Sequence, residues 1–96
     1  MDPISSESRE YLRVHVEGAA GVEPVEIAFT TPGVEPLEGQ WHLAEWESSG
    51  HESAHARILV GPDADVTLAA GTYQAWTRIT RDPERPVLPC GLVPVI

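Results

Sequence analysis

Apolar and polar residues alternate along much of the chain with the period of two that is typical of half-buried β-strands. Residues 11–17 show this pattern first, with apolar side chains at positions 12, 14 and 16, and residues 25–29 repeat it. The same reasoning predicts further strands at residues 40–46, 56–60, 65–68, 72–80 and 86–96. No segment spaces its apolar residues as an amphipathic helix does, so the pattern predicts an all-β protein.

Glycine, proline and aspartate separate these segments, as expected where a chain reverses between antiparallel strands. Residues 11–96 are therefore predicted to form a single antiparallel β-sandwich, immunoglobulin-like and of about seven strands. Proline cannot donate a hydrogen bond to a sheet, so the prolines at 86, 89 and 94 predict that the last strand lies at an edge. Residues 1–10 are mostly polar and predict a flexible N-terminal arm. A neighbouring subunit is expected to order this arm in an assembly, with Ile4 as a partner-binding residue and the one aliphatic anchor beyond Met1.

The chain length and composition favour one small globular domain. With 96 residues, 42% hydrophobic and 22% charged, the chain can form a thin core but not a deep internal cavity. Its start lacks the charged and apolar regions of a secretory signal, and no apolar run is long enough for a membrane helix. The single cysteine cannot form an internal disulfide. We therefore expect a protein made in the cytoplasm, with no membrane partner.

The charge is strongly negative and unevenly distributed. Six arginines, no lysine and 15 acidic residues give a net charge of −9, so phosphate backbones are repelled and nucleic acid is a poor candidate partner. Residues 1–52 hold 11 of the acidic residues, whereas residues 53–96 hold four acidic residues and four arginines. In that second half, Arg78, Arg81 and Arg85 either dock an acidic neighbour or form a solvated surface of mixed charge.

Candidate chemistry is sparse. His51 and His55 have the spacing with which two histidines grip a metal on a helix, but the neighbouring serines and glycine favour a solvated loop. Asp63 and Asp65 lack a full set of calcium ligands and suit a hairpin turn. Cys90 is expected to be a small buried hydrophobic residue. No nucleophile elbow, phosphate loop or dinucleotide motif is present, so no catalytic residue, metal or cofactor is predicted.

The aromatic residues carry more information. Trp41 is predicted to be the core tryptophan of the sandwich. Trp46 and Trp76 lie on the opposite faces of their strands, so either they contact another chain or the arm or a long loop covers them. Tyr73, at the start of the clearest strand, is expected to turn its hydroxyl back onto the upstream backbone, as the corner tyrosine of sandwich domains does.

Part of the sequence resembles a known group of proteins. Residues 56–62 and 68–80, followed by the Asp82-Pro83-Glu84-Arg85-Pro86-Val87 turn and a closing strand, resemble small virion proteins of tailed bacteriophages that infect actinobacteria. Residues 24–29 and 41–46 fit the same pattern, so the resemblance covers residues 24–96 and leaves out the arm and the first strand. The strand from Gly71 combined with the Asp-Pro-Glu-Arg-Pro turn is its most specific part.

The resemblance implies a non-enzymatic structural role in the virion, with no catalytic residues. The partners it implies are the major capsid protein or other virion proteins, with self-association in an assembly. A minor capsid or decoration protein on the outside of the head is the first expectation, because an acidic domain is disfavoured beside packaged DNA. A neck or tail accessory protein is one alternative. A free module that binds carbohydrate or protein through Trp46 or Trp76 is the other.

Overall fold

The computed structural model describes residues 2–18, 21–49 and 53–96. These residues form seven strands and one short 3-10 helix at Glu38–Gln40. The strands are β1 (Glu10–Glu17), β2 (Val25–Thr30), β3 (His42–Leu43), β4 (Glu45–Ser49), β5 (Ser53–Val60), β6 (Gly71–Ile79) and β7 (Val87–Val95). Within the described ranges no helix is long and apolar enough to cross a membrane.

The strands form two antiparallel sheets that pack face to face. The three-stranded sheet has the order β1-β5-β4, and the four-stranded sheet has the order β3-β2-β6-β7. In the lettering of immunoglobulin domains, β1, β5 and β4 take the positions B, E and D, and β3, β2, β6 and β7 take the positions C′, C, F and G. The prediction of an immunoglobulin-like sandwich of about seven strands is confirmed.

The core consists of the inward-facing residues of both sheets. On β1, residues 12, 14 and 16 are buried while their neighbours are exposed, which is the alternation seen in the sequence. Burial of each large aliphatic side chain contributes about 1.5–3 kcal/mol, so the core supplies most of the stabilising free energy. Its largest members on the other strands are Val25, Ile27, Phe29, Ile58, Val60, Ile79, Val93 and Val95.

Two of the predicted strands differ in the structure. The segment at 40–46 is not one strand, because the chain passes at Ala44 from the four-stranded sheet to the three-stranded sheet: β3 pairs with β2, and β4 pairs with β5. Residues 65–68 do not form a strand either. Val66 makes only an isolated bridge to Val60, in which its carbonyl accepts a 2.8 Å hydrogen bond from Gly61.

The last strand lies at the edge of the four-stranded sheet, as its prolines predicted. Its register against β6 shifts between Gln74 and Trp76, whose partners are Leu92 and Pro89. Cys90 and Gly91 therefore form a β-bulge. Towards the end of the strand, the carbonyl of Pro94 accepts a hydrogen bond from the N–H of Ile4, which lies outside the sheet. Proline has no N–H to donate, so it suits a position where only its carbonyl is used.

The N-terminal arm makes backbone contacts with the end of the chain. Ile4 and Val95 form a parallel bridge, in which Ile4 donates to Pro94 at 3.1 Å and accepts from Ile96 at 2.8 Å. Ser6 donates to the Ile96 carbonyl at 2.7 Å. The Ile4 side chain is half-buried against the core, so this residue is an internal anchor in the isolated chain. These backbone partners at the edge of β7 could not be predicted from the polar composition of the arm.

Candidate functional site

The outer face of the four-stranded sheet is covered by the loop of residues 31–41. Gly33 donates a 2.7 Å hydrogen bond to the side chain of Gln74 on β6, and Glu38 contacts Arg78 on the same strand. Trp76 lies between these two β6 residues and is only 8% exposed. In the isolated chain Trp76 is therefore buried, as the alternative of a covering loop expects.

Arg78 holds this loop to the sheet. Its guanidinium makes a bidentate pair with Glu26 at 2.9 and 3.0 Å, and it also contacts the Glu38 carboxylate. The Glu26 hydrogen bonds raise the pKa of Arg78, and the Arg78 hydrogen bond lowers the pKa of Glu38. The Arg78 side chain is only 10% exposed, and its acidic partners Glu26 and Glu38 belong to the chain itself.

Trp41 does not belong to the core, so the prediction that it is the core tryptophan of the sandwich is wrong. The 3-10 helix ends at Trp41, just before β3 begins, so the residue belongs to the covering loop and not to a strand. Its ring lies 4.7 Å from the guanidinium carbon of Arg78, a cation–π distance. Trp41 therefore packs on the outer face of the four-stranded sheet.

Trp46 is the second tryptophan for which the sequence left two alternatives, a contact with another chain or cover within its own chain. Trp46 lies on β4, is half-buried and packs against the core. Its indole nitrogen donates a 2.6 Å hydrogen bond to the Glu23 carbonyl. The indole is thus satisfied within the chain, because the passage at Ala44 moves Trp46 to the other sheet and reverses the face predicted from a continuous strand.

Arg81 and Arg85, the other two arginines of the proposed docking face, lie in the segment that connects β6 to β7. Arg81 donates to the Gly18 carbonyl at 2.8 Å and pairs with Glu23 at 3.0 Å. It therefore holds the segment that connects β1 and β2. Arg85 is exposed, and its field is a minor contribution to the lowered pKa of Glu38, behind the Arg78 hydrogen bond. Arg78, Arg81 and Arg85 do not form one free basic surface.

A different surface on the four-stranded sheet is both exposed and apolar. Val87 and Leu92 lie on β7 opposite Arg78 and Gln74, so they share the outer face with those residues. Val34 and Leu37 belong to the loop of residues 31–41, whose Gly33 and Glu38 contact Gln74 and Arg78 on this face. The four side chains, which we call the outer apolar surface, are 44%, 53%, 53% and 73% exposed in the order Val87, Leu92, Val34 and Leu37. No pattern in the sequence marks this surface, since two of its members lie in a loop and two on a proline-rich edge strand.

The outer face of the three-stranded sheet has the opposite character. Arg13 and Arg57 lie directly across from each other, and each is neutralised by a glutamate of β4. Arg13 pairs with Glu47 at 2.6 Å, and Arg57 pairs with Glu45 at 2.7 Å. These hydrogen bonds lower the pKa of Glu47 and raise that of Arg57. The result is a hydrated face of balanced charge.

The histidines of the metal hypothesis separate in the structure. His51 lies outside the described residues, whereas His55 lies on β5 directly opposite His15 of β1. The two imidazole rings stack with centroids 5.0 Å apart. Within the described residues, no group of three or more histidine, cysteine or acidic side chains is placed to hold a metal ion. Asp63 has φ of 64°, which suits a turn residue.

Two other residues match their predictions. The Tyr73 hydroxyl donates a 2.8 Å hydrogen bond to the Ala69 carbonyl, which confirms the corner role. Cys90 is half-buried and packs against the core, with its sulfur 3.2 Å from the Thr77 hydroxyl. Burial raises the pKa of the Cys90 thiol, which lowers its thiolate fraction at neutral pH.

Comparisons with known proteins found no match to this chain among family models, curated proteins or solved structures.

Proposed function

We propose that this protein is a non-enzymatic structural protein of a bacteriophage particle, a minor capsid or decoration protein bound to the outside of the head. The observation that carries the proposal is the outer apolar surface formed by Val34, Leu37, Val87 and Leu92. Exposed apolar side chains grouped on one face favour association with another protein. The resemblance of residues 24–96 to virion proteins supplies the class of partner, the major capsid protein or another virion protein.

The distribution of charge supports the same orientation. The net charge of −9 disfavours a position beside packaged DNA. The hydrated face of the three-stranded sheet suits exposure to solvent, whereas the outer apolar surface suits burial against the particle. A sandwich of this kind therefore binds with its four-stranded sheet and leaves its three-stranded sheet outside.

The test is particle occupancy. Val87→Asp together with Leu92→Asp places two charges on the outer apolar surface and should strongly reduce the amount of protein in purified particles. Val22→Asp is the control, because Val22 is 84% exposed and lies in the segment between β1 and β2, which is not part of this surface. Melting temperatures of the free proteins establish that both variants are folded. Equal occupancy of the double variant and the control contradicts the proposed surface.

A neck or tail accessory protein is the alternative position. Quantitative mass spectrometry of intact particles separates the two positions: hundreds of copies indicate decoration of the shell, whereas about a dozen copies indicate a closed ring at the neck. Absence of the protein from the particles contradicts both.

A free carbohydrate-binding or protein-binding module is the second candidate function. Trp46 and Trp76 do not serve it in the isolated domain, because both indole nitrogens donate within the chain. The feature that favours it is a shallow groove of about 310 Å³ beside Tyr11, whose ring lies 4.1 Å from the Arg57 guanidinium carbon. Glycan-array binding that Tyr11→Ala abolishes, together with no association with particles, is the result that favours this candidate.

A further inference from the structure

His15 and His55 form a cross-strand pair that neither the proposed function nor the fold requires. Both residues are exposed on the outer face of the three-stranded sheet, and they face each other in the register of β1 and β5. They are 40 positions apart in the sequence, so only the sheet brings them together. We propose that this pair binds a divalent transition-metal ion of the kind that imidazole prefers, such as Zn²⁺ or Ni²⁺.

The geometry of the pair fits two ligands of one ion. Residues directly opposite each other in an antiparallel sheet have Cβ atoms about 4.5–5.5 Å apart, and the two ring centroids are 5.0 Å apart. A metal ion bound by histidine lies about 2.0–2.1 Å from each nitrogen. At this separation, one nitrogen of each ring lies within reach of a common ion placed between the two strands.

The charges around the pair tolerate a cation. On one side, the next residues on this face are Arg13 and Arg57, which are paired with Glu47 and Glu45. On the other side lies Glu17, which is exposed and opposite Ser53. The neighbouring arginines are thus neutralised, and Glu17 adds one negative charge. The net charge of −9 further raises the local concentration of cations.

Within the described residues the pair supplies two ligands, and no group of three or more histidine, cysteine or acidic side chains surrounds the ion. A site with two protein ligands binds more weakly than a closed structural zinc site with four protein ligands. Because the ion connects the edge strand β1 to the central strand β5, binding stabilises the folded chain.

The experiment is a titration of the full-length chain with ZnCl₂ and, separately, NiCl₂ in a non-chelating buffer, followed by calorimetry and by the NMR signals of the imidazole rings. We expect saturable binding of one ion per chain and a rise in melting temperature. His15→Ala and His55→Ala should each weaken binding by roughly tenfold or more, since loss of even a supporting group of a metal site costs that much. Both residues are exposed, and the metal-free melting temperatures report whether each variant is folded.

Three control variants distinguish this pair from other donors. His42→Ala, on the other sheet, and Cys90→Ser should leave the affinity unchanged. His51→Ala tests the alternative pair, His51 and His55, which are four positions apart in the sequence. Loss of binding in His51→Ala with retention in His15→Ala overturns the proposal, and so does a wild-type chain that shows no saturation at about millimolar metal, which is far weaker than protein metal sites.

Discussion

The indole nitrogen of Trp76 donates a 2.8 Å hydrogen bond to the hydroxyl of Thr30 on the neighbouring strand. Both residues are buried, although they lie on the outer face of the four-stranded sheet and outside the main core. The Thr30 hydroxyl in turn donates to the Val34 carbonyl at 2.6 Å. One hydroxyl thus joins the sheet to the loop that covers it.

Replacement of this hydroxyl should destabilise the domain. Thr30→Val keeps the shape of the side chain but leaves the Trp76 N–H and the Val34 carbonyl without their partner. We expect a loss of about 1–3 kcal/mol in the free energy of unfolding, because a buried polar group without a partner keeps its desolvation cost. Urea denaturation monitored by tryptophan fluorescence measures this change.

Thr31→Val is the matched control, since Thr31 is the exposed next residue. It should change the free energy of unfolding by less than about 0.5 kcal/mol. The pair Thr30→Val and Trp76→Phe, made singly and together, gives the coupling energy. A coupling energy of zero contradicts the assigned hydrogen bond.

The attachment of the covering loop should depend on pH through Glu38. The Arg78 hydrogen bond lowers the pKa of Glu38 below its ordinary value of 4.5. A carboxyl whose folded-state pKa is lowered stabilises the fold above its unfolded-state pKa, and this contribution is lost as the pH falls through the folded-state value. Glu38→Gln should therefore be less stable than wild type at pH 7, and the difference should shrink below pH 4.5.

Glu35→Gln is the control for this profile, because Glu35 lies exposed in the same loop. Denaturation curves of the three proteins between pH 7 and pH 3 measure the profile. A difference between Glu38→Gln and wild type that stays constant across this range contradicts the role of the Glu38 carboxylate in holding the loop.

Most of the strands could be predicted from the sequence, because the alternation of apolar and polar residues that marks them is a local pattern. The alternation at residues 12, 14 and 16 needs only a pleated chain with one buried face, and the structure shows those residues buried on β1. The Tyr73 corner was equally local, as its hydroxyl bonds to a carbonyl four residues upstream. The edge position of β7 followed from the missing N–H groups of its prolines.

The outer surfaces of the two sheets could not be predicted from the sequence, because they depend on contacts between residues that are distant along the chain. Alternation assigned Trp76 correctly to the face away from the core, but it carries no information about the loop at 31–41 that buries this face. The pairing of His15 with His55 depends on the register of two strands 40 residues apart. The interruption at Ala44 is likewise a property of the two packed sheets, and no turn residue marks it in the sequence.

The corner hydrogen bond and the Tyr73 ring should contribute separately to stability. Tyr73→Phe removes only the hydroxyl, for which we expect a loss of about 0.5–1.5 kcal/mol. Tyr73→Ala also removes the half-buried ring that packs on the core, so we expect a total loss of about 3 kcal/mol. Thermal denaturation of both variants measures the two steps. A melting temperature of Tyr73→Ala within a degree or two of wild type contradicts the inward position of this ring.

The arm should depend on the glycine beneath it. Gly61 has φ of +126°, and a Cβ atom there would overlap the carbonyl oxygen of Ser8 and lie 2.7 Å from the Cα of Arg9. Both contacts are backbone, so Gly61→Ala must displace the arm. We expect a loss of about 1–3 kcal/mol, together with faster hydrogen exchange of the Ile4 and Ser6 amides that bond to the end of the chain.

Gly33→Ala separates this clash from backbone strain alone. Gly33 also has a positive φ, of +83°, but no atom lies within 4 Å of the added Cβ position. Gly33→Ala should therefore lower the free energy of unfolding through its unfavourable φ, without faster hydrogen exchange of the arm amides. Ile4→Ala provides the complementary change, since it removes the side-chain contact of the arm and leaves Gly61 intact. If Ile4→Ala and Gly61→Ala both leave the exchange rates of the arm amides unchanged, the arm is held neither by Ile4 nor by its packing on Gly61.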